Sequence, residues 1–152
     1  MPKVIVDVRE RNGIVRELVK HGIDIEVTQL KVADFVIQSK TIDGKIKDIG
    51  IEKKTQMDFL NSIIDKRIIS QLIALKEHFA IPLLIIEGND NIYSLRNFHP
   101  NSIRGMLSSI AIDYQIPILY TKNYRDTAAL LAIIAKRLER PQRAIGLLKK
   151  RK

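Results

Sequence analysis

The chain has 152 residues, of which 45% are hydrophobic and 28% charged, so it is long enough for one domain with a single buried core. It contains no cysteine, which excludes disulfides, thiol nucleophiles and thiolate metal sites, and its three histidines are too far apart for a zinc cluster. No apolar run is long enough to cross a bilayer, and acids stand where a signal peptide would be apolar, so we expect neither a membrane protein nor a secreted one.

The net charge of +9 is concentrated at the C-terminus. Residues 136–152 hold eight basic side chains and one acidic side chain, a local charge of +7 that leaves +2 for residues 1–135. Such a basic end suits non-specific contact with nucleic-acid phosphates, and the alternative is a solubilising tail. We therefore expect a folded domain over 1–140 and a basic tail over 141–152.

Strand-like and helix-like patterns alternate along the chain. Strands are predicted at 4–8, 24–30, 34–41, 45–54, 81–88 and 116–121, with a hairpin turn at Asp43–Gly44. Helices are predicted at 13–22, in one long pattern after residue 54, at 102–114 and at 126–140, where Pro141 ends the last one. The runs 81–88 and 116–121 are apolar throughout, which is typical of strands buried on both faces. The alternation predicts an α/β fold with a central mixed sheet flanked by helices on both faces.

The main chemical signal is an acid-x-Lys pattern near the end of the fourth predicted strand. Glu52 and Lys54 are two residues apart, so they share one face of the strand, while Lys53 points to the other. Asp34 begins the preceding strand, and the register could bring it beside Glu52. Two carboxylates and a lysine on one surface suit Mg²⁺, which activates water and offsets charge on a scissile phosphate. The alternative is an ordinary solvated strand end.

Asp58 follows Glu52 by six positions and has a local explanation of its own. Thr55-x-x-Asp58 ahead of an apolar helical run resembles a capping box with Asp in place of the usual Glu. Helix starts also favour acidic residues. The spacing alone leaves Asp58 open between a catalytic and a structural role.

The stretch IEKKTQMD, at 51–58, is similar to the ERKxxxD signature of the XPF-like structure-specific endonucleases, which include the nuclease domain of archaeal Hef. Five more segments resemble the same family in order, and the resemblance extends from residue 4 to about residue 138. They are VDVRE, VADFVI, NSIIDKRIISQL, LLIIEG and RNFHPNSIRG. The resemblance implies a single restriction-endonuclease-like nuclease domain that cuts DNA with Mg²⁺, for which Mn²⁺ would substitute.

The same resemblance assigns roles to individual residues. The implied catalytic residues are Asp34, Glu52, Lys54, Asp7, Arg9 and Asp58. The implied metal ligands are Asp34, Glu52, Asp7 and the backbone carbonyl of Lys53. DNA contacts are expected from Arg9, Arg67 and Gln71, and from the tail residues Lys149, Lys150, Arg151 and Lys152. Each has a local alternative, such as a strand-end acid, a surface ion pair or a solvated helix stripe.

The chain also departs from the family pattern. Lys53 replaces the signature arginine, which keeps the charge but loses a bidentate fork. Ala33 replaces the glycine before Asp34, which predicts that this position does not require a positive φ. Phe35 replaces a tyrosine and removes a hydroxyl. Relatives commonly continue into a tandem helix-hairpin-helix domain, whereas this chain stops about one helix after the nuclease domain, so a tail, second subunit or partner would supply the additional DNA grip.

Helix 126–140 is apolar around most of its circumference, so a second chain is a natural cover, and deep burial within one domain is the alternative. Since the resembling family dimerises through this region, we expect a homodimer.

Three functions remain open. The first is cleavage of branched DNA such as flaps and forks by an enzyme that would be cytoplasmic and nucleoid-associated in a prokaryote, with a replication or repair protein as its recruiting partner. The others are a non-catalytic DNA-binding scaffold and a nuclease for another substrate, such as Holliday junctions or RNA.

Overall fold

The structure is a computed structural model that describes residues 2–10, 13–40 and 46–139. The strands are β1 (Lys3–Asp7), β2 (Asp24–Thr28), β3 (Phe35–Lys40), β4 (Ile46–Thr55), β5 (Ile81–Glu87) and β6 (Ile118–Thr121). The helices are α1 (Ile14–Lys20), α2 (Gln56–Ile64), α3 (Arg67–His78), α4 (Pro100–Ser108) and α5 (Tyr124–Leu138). A 3₁₀ turn covers Ile92–Ser94 and a π-helical turn covers Ser109–Asp113. Within these ranges no helix is both long and apolar enough to span a membrane.

The six strands form one mixed sheet in the order β2-β1-β3-β4-β5-β6. Strand β3 runs antiparallel to its neighbours β1 and β4, and the remaining adjacent pairs are parallel. The C-terminal ends of β1, β4 and β5 and the beginning of β3 therefore meet at one edge of the sheet. The mixed sheet that the sequence predicts is confirmed.

Both faces of the sheet are covered, as the α/β pattern predicts. One face packs against α1 and α5 through the buried side chains Val4, Val6, Phe35, Ile51, Ile85, Leu18 and Leu131. The other packs against α2, α3 and α4 through Val36, Leu84, Ile86, Phe59, Leu72 and Ile103. Because side chains alternate along a strand, Glu52 and Lys54 lie on the second face and Lys53 on the first.

Two expectations about the elements are wrong. The long helical pattern after residue 54 forms two helices, because Lys66 has a φ of 63° and the Asp65 carboxylate accepts a hydrogen bond from the Arg67 amide at 3.1 Å. The run 116–121 is an edge strand rather than a strand buried on both faces, and Tyr120 within it is 62% exposed.

Helix α5 uses most of its apolar surface within the chain's own core. Ala128, Leu131, Ala132 and Ala135 are buried, whereas Ile133 is 63% exposed. The apolar circumference is therefore explained largely by burial within one domain. The Asp43–Gly44 turn, Pro141 and the basic tail lie outside the described residues.

A close backbone approach brings α3 against β4. A Cβ atom at Gly50 would overlap the ring of Phe79, the residue that follows α3. Only glycine fits at this point of β4. This contact holds α3 beside the strand that carries Glu52 and Lys54.

Candidate active site

Asp34 and Glu52 face each other across β3 and β4. The antiparallel register pairs Phe35 with Ile51, which puts Asp34 opposite Glu52, as the hairpin register predicted. The Asp34 amide donates to the Ile51 carbonyl at 2.8 Å, and the Lys53 amide donates to Asp34 Oδ2 at 2.8 Å. Both the backbone and the carboxylate of Asp34 are therefore held by β4.

The Glu52 carboxyl group has a strongly perturbed pKa. Burial raises it from an ordinary 4.5 to about 8, and a hydrogen bond and charge repulsion from Asp34 act in the same direction. Lys54 and Arg9 oppose the rise without cancelling it. At neutral pH the metal-free pair therefore holds a proton on Glu52, and a cation between the two carboxylates would replace it.

The two acids open into a pocket of about 330 Å³ at the strand-end edge of the sheet. Its lining contains three acidic and four basic residues, together with Gln71 and three apolar residues. They are Asp34, Glu52, Asp58, Arg9, Lys31, Lys53, Lys54, Gln71, Val32, Ala33 and Ala74. Lys54 is almost entirely buried, so its ammonium group is held close to the pair of acids. Negative and positive groups thus line one cavity, which suits a cation and a phosphate together.

Arg9 reaches the pocket because Asp7 and Leu30 hold its guanidinium group. Arg9 Nε lies 2.5 Å from Asp7 Oδ2, and Nη2 donates to the Leu30 carbonyl at 3.2 Å. The hydrogen bond to Asp7 and the negative charges of Asp7, Asp34 and Glu52 raise the Arg9 pKa, and Arg9 lines the same pocket as the two facing acids. Its side chain remains largely exposed, so part of the guanidinium group is available to a ligand.

The carboxylate of Asp7 is bound by neighbouring groups of the chain. Its fully buried carboxylate accepts hydrogen bonds from Arg9 and from the Leu30 amide at 2.9 Å. Burial raises its pKa, but these hydrogen bonds outweigh burial and keep the pKa below its ordinary value. Within the described residues no three acids or histidines are grouped closely enough to hold a metal together. Asp7 therefore orients Arg9, and its role as an additional metal ligand stays a prediction.

The two α3 residues expected to contact DNA differ in their placement. Gln71 lines the pocket, and its buried Oε1 atom has no hydrogen-bond partner among the described residues. A buried amide oxygen is costly without a partner, and a water, an ion or a ligand group in the pocket would satisfy it. Arg67 instead pairs with Asp65 at 2.6 Å on the surface and does not line the pocket.

Asp58 lies in the capped first turn of α2 and also lines the pocket. The Thr55 hydroxyl accepts a hydrogen bond from the Asp58 amide at 3.1 Å, so Thr55 caps α2 as the sequence predicts. The Asp58 side chain meanwhile lines the pocket. Helix capping and pocket lining are compatible, because the cap uses the backbone of Asp58 and leaves its carboxylate free for the pocket.

Ala33 has a φ of 83°, so the expectation that this position needs no positive φ is wrong. A left-handed conformation costs a residue with a Cβ atom about 1–2 kcal/mol. The Asp34 amide, which follows Ala33, donates a hydrogen bond to the Ile51 carbonyl in this conformation. The backbone geometry is therefore kept without the glycine.

Sequence reasoning did not single out Glu10 or Lys31. Glu10 Oε2 lies 3.0 Å from Lys53 Nζ, and both side chains are only 11% exposed. Burial raises the Glu10 pKa, Lys53 lowers it, and the charges of Asp34 and Glu87 raise it further. Glu10 is the last residue of VDVRE, and its contact with Lys53 is seen only in the structure.

The residues present fit a hard divalent cation. Two carboxylates face each other, and Mg²⁺ commonly binds one or two carboxylates and fills its other positions with water or phosphate oxygens. The unpartnered Gln71 Oε1 in the same pocket adds an acceptor for bound water.

The chain matches a known family and known structures over nearly all of its length. The ERCC4 domain family matches residues 6–134. A Methanocaldococcus jannaschii protein named as an ATP-dependent RNA helicase is 42% identical over 135 residues, which are 89% of this chain and 15% of that protein. The 3′-flap repair endonuclease Xpf of Saccharolobus solfataricus is 33% identical over 138 residues, which are 90% of this chain and 56% of that protein.

Solved structures of XPF from Aeropyrum pernix share the fold. One superposes with a TM-score of 0.75 at 29% identity over 89% of this chain and 60% of that chain. Another, in complex with DNA, gives the same TM-score and identity over 90% and 64% of the two chains. The chain thus spans only part of the length of these relatives. Since the family match covers most of its residues, the chain belongs to the ERCC4 domain family and has the XPF-like nuclease-domain fold.

Proposed function

We propose that the chain is a metal-dependent endonuclease that hydrolyses DNA phosphodiesters near branch points such as flaps and forks. The observation that carries this proposal is the pair of facing carboxylates, Asp34 and Glu52, beside the buried Lys54 in one pocket. A relative named as a 3′-flap repair endonuclease and an XPF structure in complex with DNA support the choice of substrate. Such a role belongs with cellular DNA, in the cytoplasm or nucleoid of a prokaryote.

The acidic residues of the pocket would bind the metal, and the basic residues would contact phosphate. Asp34 and Glu52 would hold Mg²⁺ or Mn²⁺, which supplies an acidified water and offsets phosphate charge when bound. Lys54 would stabilise charge that develops on the phosphate. Arg9, oriented by Asp7, would bind a neighbouring phosphate with its exposed guanidinium group.

The carbonyl of Lys53 remains a proposed additional ligand. Lys31 is a further proposed phosphate contact, because it is a basic residue in the pocket lining. Gln71 would accept a hydrogen bond from water or from the DNA. Arg67 would contact the DNA backbone only if its pair with Asp65 opened.

We also propose a homodimer. Its support comes less from α5 than from the side chains around the edge strand β6, where Tyr120 is 62% exposed and Ile112 on the neighbouring π-helical turn is 71% exposed. Light scattering that shows only a monomer of about 17 kDa at micromolar concentration would remove this proposal. A recruiting replication or repair protein is a further possible partner.

The function is tested by cleavage of end-labelled 3′-flap, fork and plain duplex DNA with Mg²⁺ or with EDTA. The wild type should cut near the branch only with the metal, and Glu52→Ala should not cut. Glu26→Ala removes an acid from the surface of β2 and serves as the matched control, which should cut normally. Binding without cutting by the wild type under every divalent metal would favour the scaffold instead.

A further inference from the structure

An ion pair lies behind the pocket, on the opposite face of the sheet. Lys53 Nζ and Glu10 Oε2 are 3.0 Å apart, and little of either side chain reaches solvent. Glu10 follows β1, and Lys53 belongs to β4, with β3 between these strands in the sheet. The pair therefore ties together two segments that are not hydrogen-bonded neighbours.

Lys53 is also connected to the pocket through its backbone. Its amide donates to Asp34 Oδ2 at 2.8 Å, and it lies between Glu52 and Lys54 in sequence. A shift of Lys53 would move the hydrogen bond that orients one acid and the backbone that carries the other. The anchor of its side chain thus bears on both carboxylates.

The charges around the ion pair keep Lys53 beside Glu10. Glu87, an acid on the same face of the sheet, accepts a hydrogen bond from the Thr127 hydroxyl at 2.6 Å. Glu10 feels repulsion from both Asp34 and Glu87, and Lys53 is the cation that compensates for it. A buried charge without its partner is strongly unfavourable, so each member holds the other in place.

We propose that Glu10 is a positioning residue of the metal centre. By anchoring Lys53 on the far face of the sheet, it fixes β4 at residues 52–54 and the hydrogen bond that orients Asp34. The inference rests on the proposed function, because it takes Asp34 and Glu52 as the ligands. Outer partners of this kind typically change metal affinity by about 10- to 100-fold when they are removed.

The test is calorimetric titration of the full chain with Mn²⁺ alone, without DNA, combined with amide hydrogen exchange. Glu10→Gln should raise the Mn²⁺ dissociation constant at least about 10-fold and speed exchange of the Lys53 amide. Glu26→Gln breaks the exposed pair with Lys3 and is the matched control, which should change neither readout.

A second variant keeps the test valid if Glu10→Gln does not fold. Glu10→Gln with Lys53→Gln replaces both charges, leaves no unpaired ion, and should show the same loss of Mn²⁺ affinity. Dissociation constants within twofold of the wild type and an unchanged Lys53 amide, in whichever variant folds, would overturn the proposal. If the wild type itself binds no divalent metal, the proposed function fails. Exchange of the Lys53 amide in Glu10→Gln then shows separately whether Glu10 holds Lys53 in place: faster exchange supports this, and unchanged exchange contradicts it.

Discussion

Replacing Glu52 by glutamine should stabilise the metal-free protein, and the stabilisation should grow as the pH rises. Burial and the facing Asp34 raise the Glu52 pKa to about 8, from an ordinary 4.5. Between these two values the folded state keeps a proton that the unfolded chain has lost, so folding stability falls with rising pH. Glutamine does not titrate and can still donate a hydrogen bond to Asp34.

The pKa values set the size of the effect. A shift from 4.5 to about 8 corresponds to an upper limit of roughly 5 kcal/mol at about 1.36 kcal/mol for each pH unit. Because the pocket is open to solvent, screening reduces the expected difference to about 2 kcal/mol. For a domain of this size, that difference changes the melting temperature by about 4–8 °C.

The assay is thermal unfolding in EDTA at pH 5 and pH 9, followed by circular dichroism. The melting temperature of Glu52→Gln minus that of the wild type should increase between the two pH values. Glu26→Gln removes an exposed acid and should show no such increase. A Glu52→Gln difference that stays constant, or that shrinks at high pH, would refute the assignment of the raised pKa to Glu52.

Four further predictions follow from the site, the fold and the charge distribution. Asp34→Ala should abolish cleavage and leave DNA binding nearly intact in a gel-shift assay; an equal loss of binding would contradict its role as a ligand. Ala33→Gly should stay within about 1 kcal/mol of the wild type in urea unfolding, because relief of the left-handed backbone offsets the entropy of glycine. Ala132→Gly, in the middle of α5, is its control and should cost at least about 1 kcal/mol; equal costs for the two would contradict the strain at Ala33. Gly50→Ala should cost about 1–3 kcal/mol by the same urea assay, since a methyl group there meets the ring of Phe79, and an unchanged midpoint would show that the ring moves freely. Deleting 141–152 should weaken binding to all DNA sequences alike and reduce its salt dependence, and a sequence-selective loss would argue for base contacts instead.

The sequence predicts much of the fold because strand alternation and helix spacing are local properties. The apolar run 81–88 contains β5, an interior strand of the sheet, and Gly22, with a φ of 77°, follows the end of α1. The run 116–121 was misjudged because an apolar pattern cannot show that β6 lies at an edge. The helix break at Lys66 was missed because no glycine or proline marks it.

The sequence also predicts that the two facing acids of the site lie close together. The predicted turn between β3 and β4 limits the register of these two strands, so the sequence alone allows Asp34 to be placed opposite Glu52. The hydrogen bond that Asp7 accepts from the Leu30 amide is not visible in the sequence, because the two residues are 23 positions apart. Glu10 was overlooked because its partner Lys53 is 43 residues away, and no local pattern reports such a contact.

The central claim is that the facing carboxylates of Asp34 and Glu52 form a divalent metal site. The most direct measurement is anomalous diffraction from crystals of the protein soaked with Mn²⁺. The account predicts one strong peak between the two carboxylates that disappears in Asp34→Asn. If the wild type cleaves DNA but its Mn²⁺ peak lies elsewhere, or if the peak survives in Asp34→Asn, the claim is contradicted.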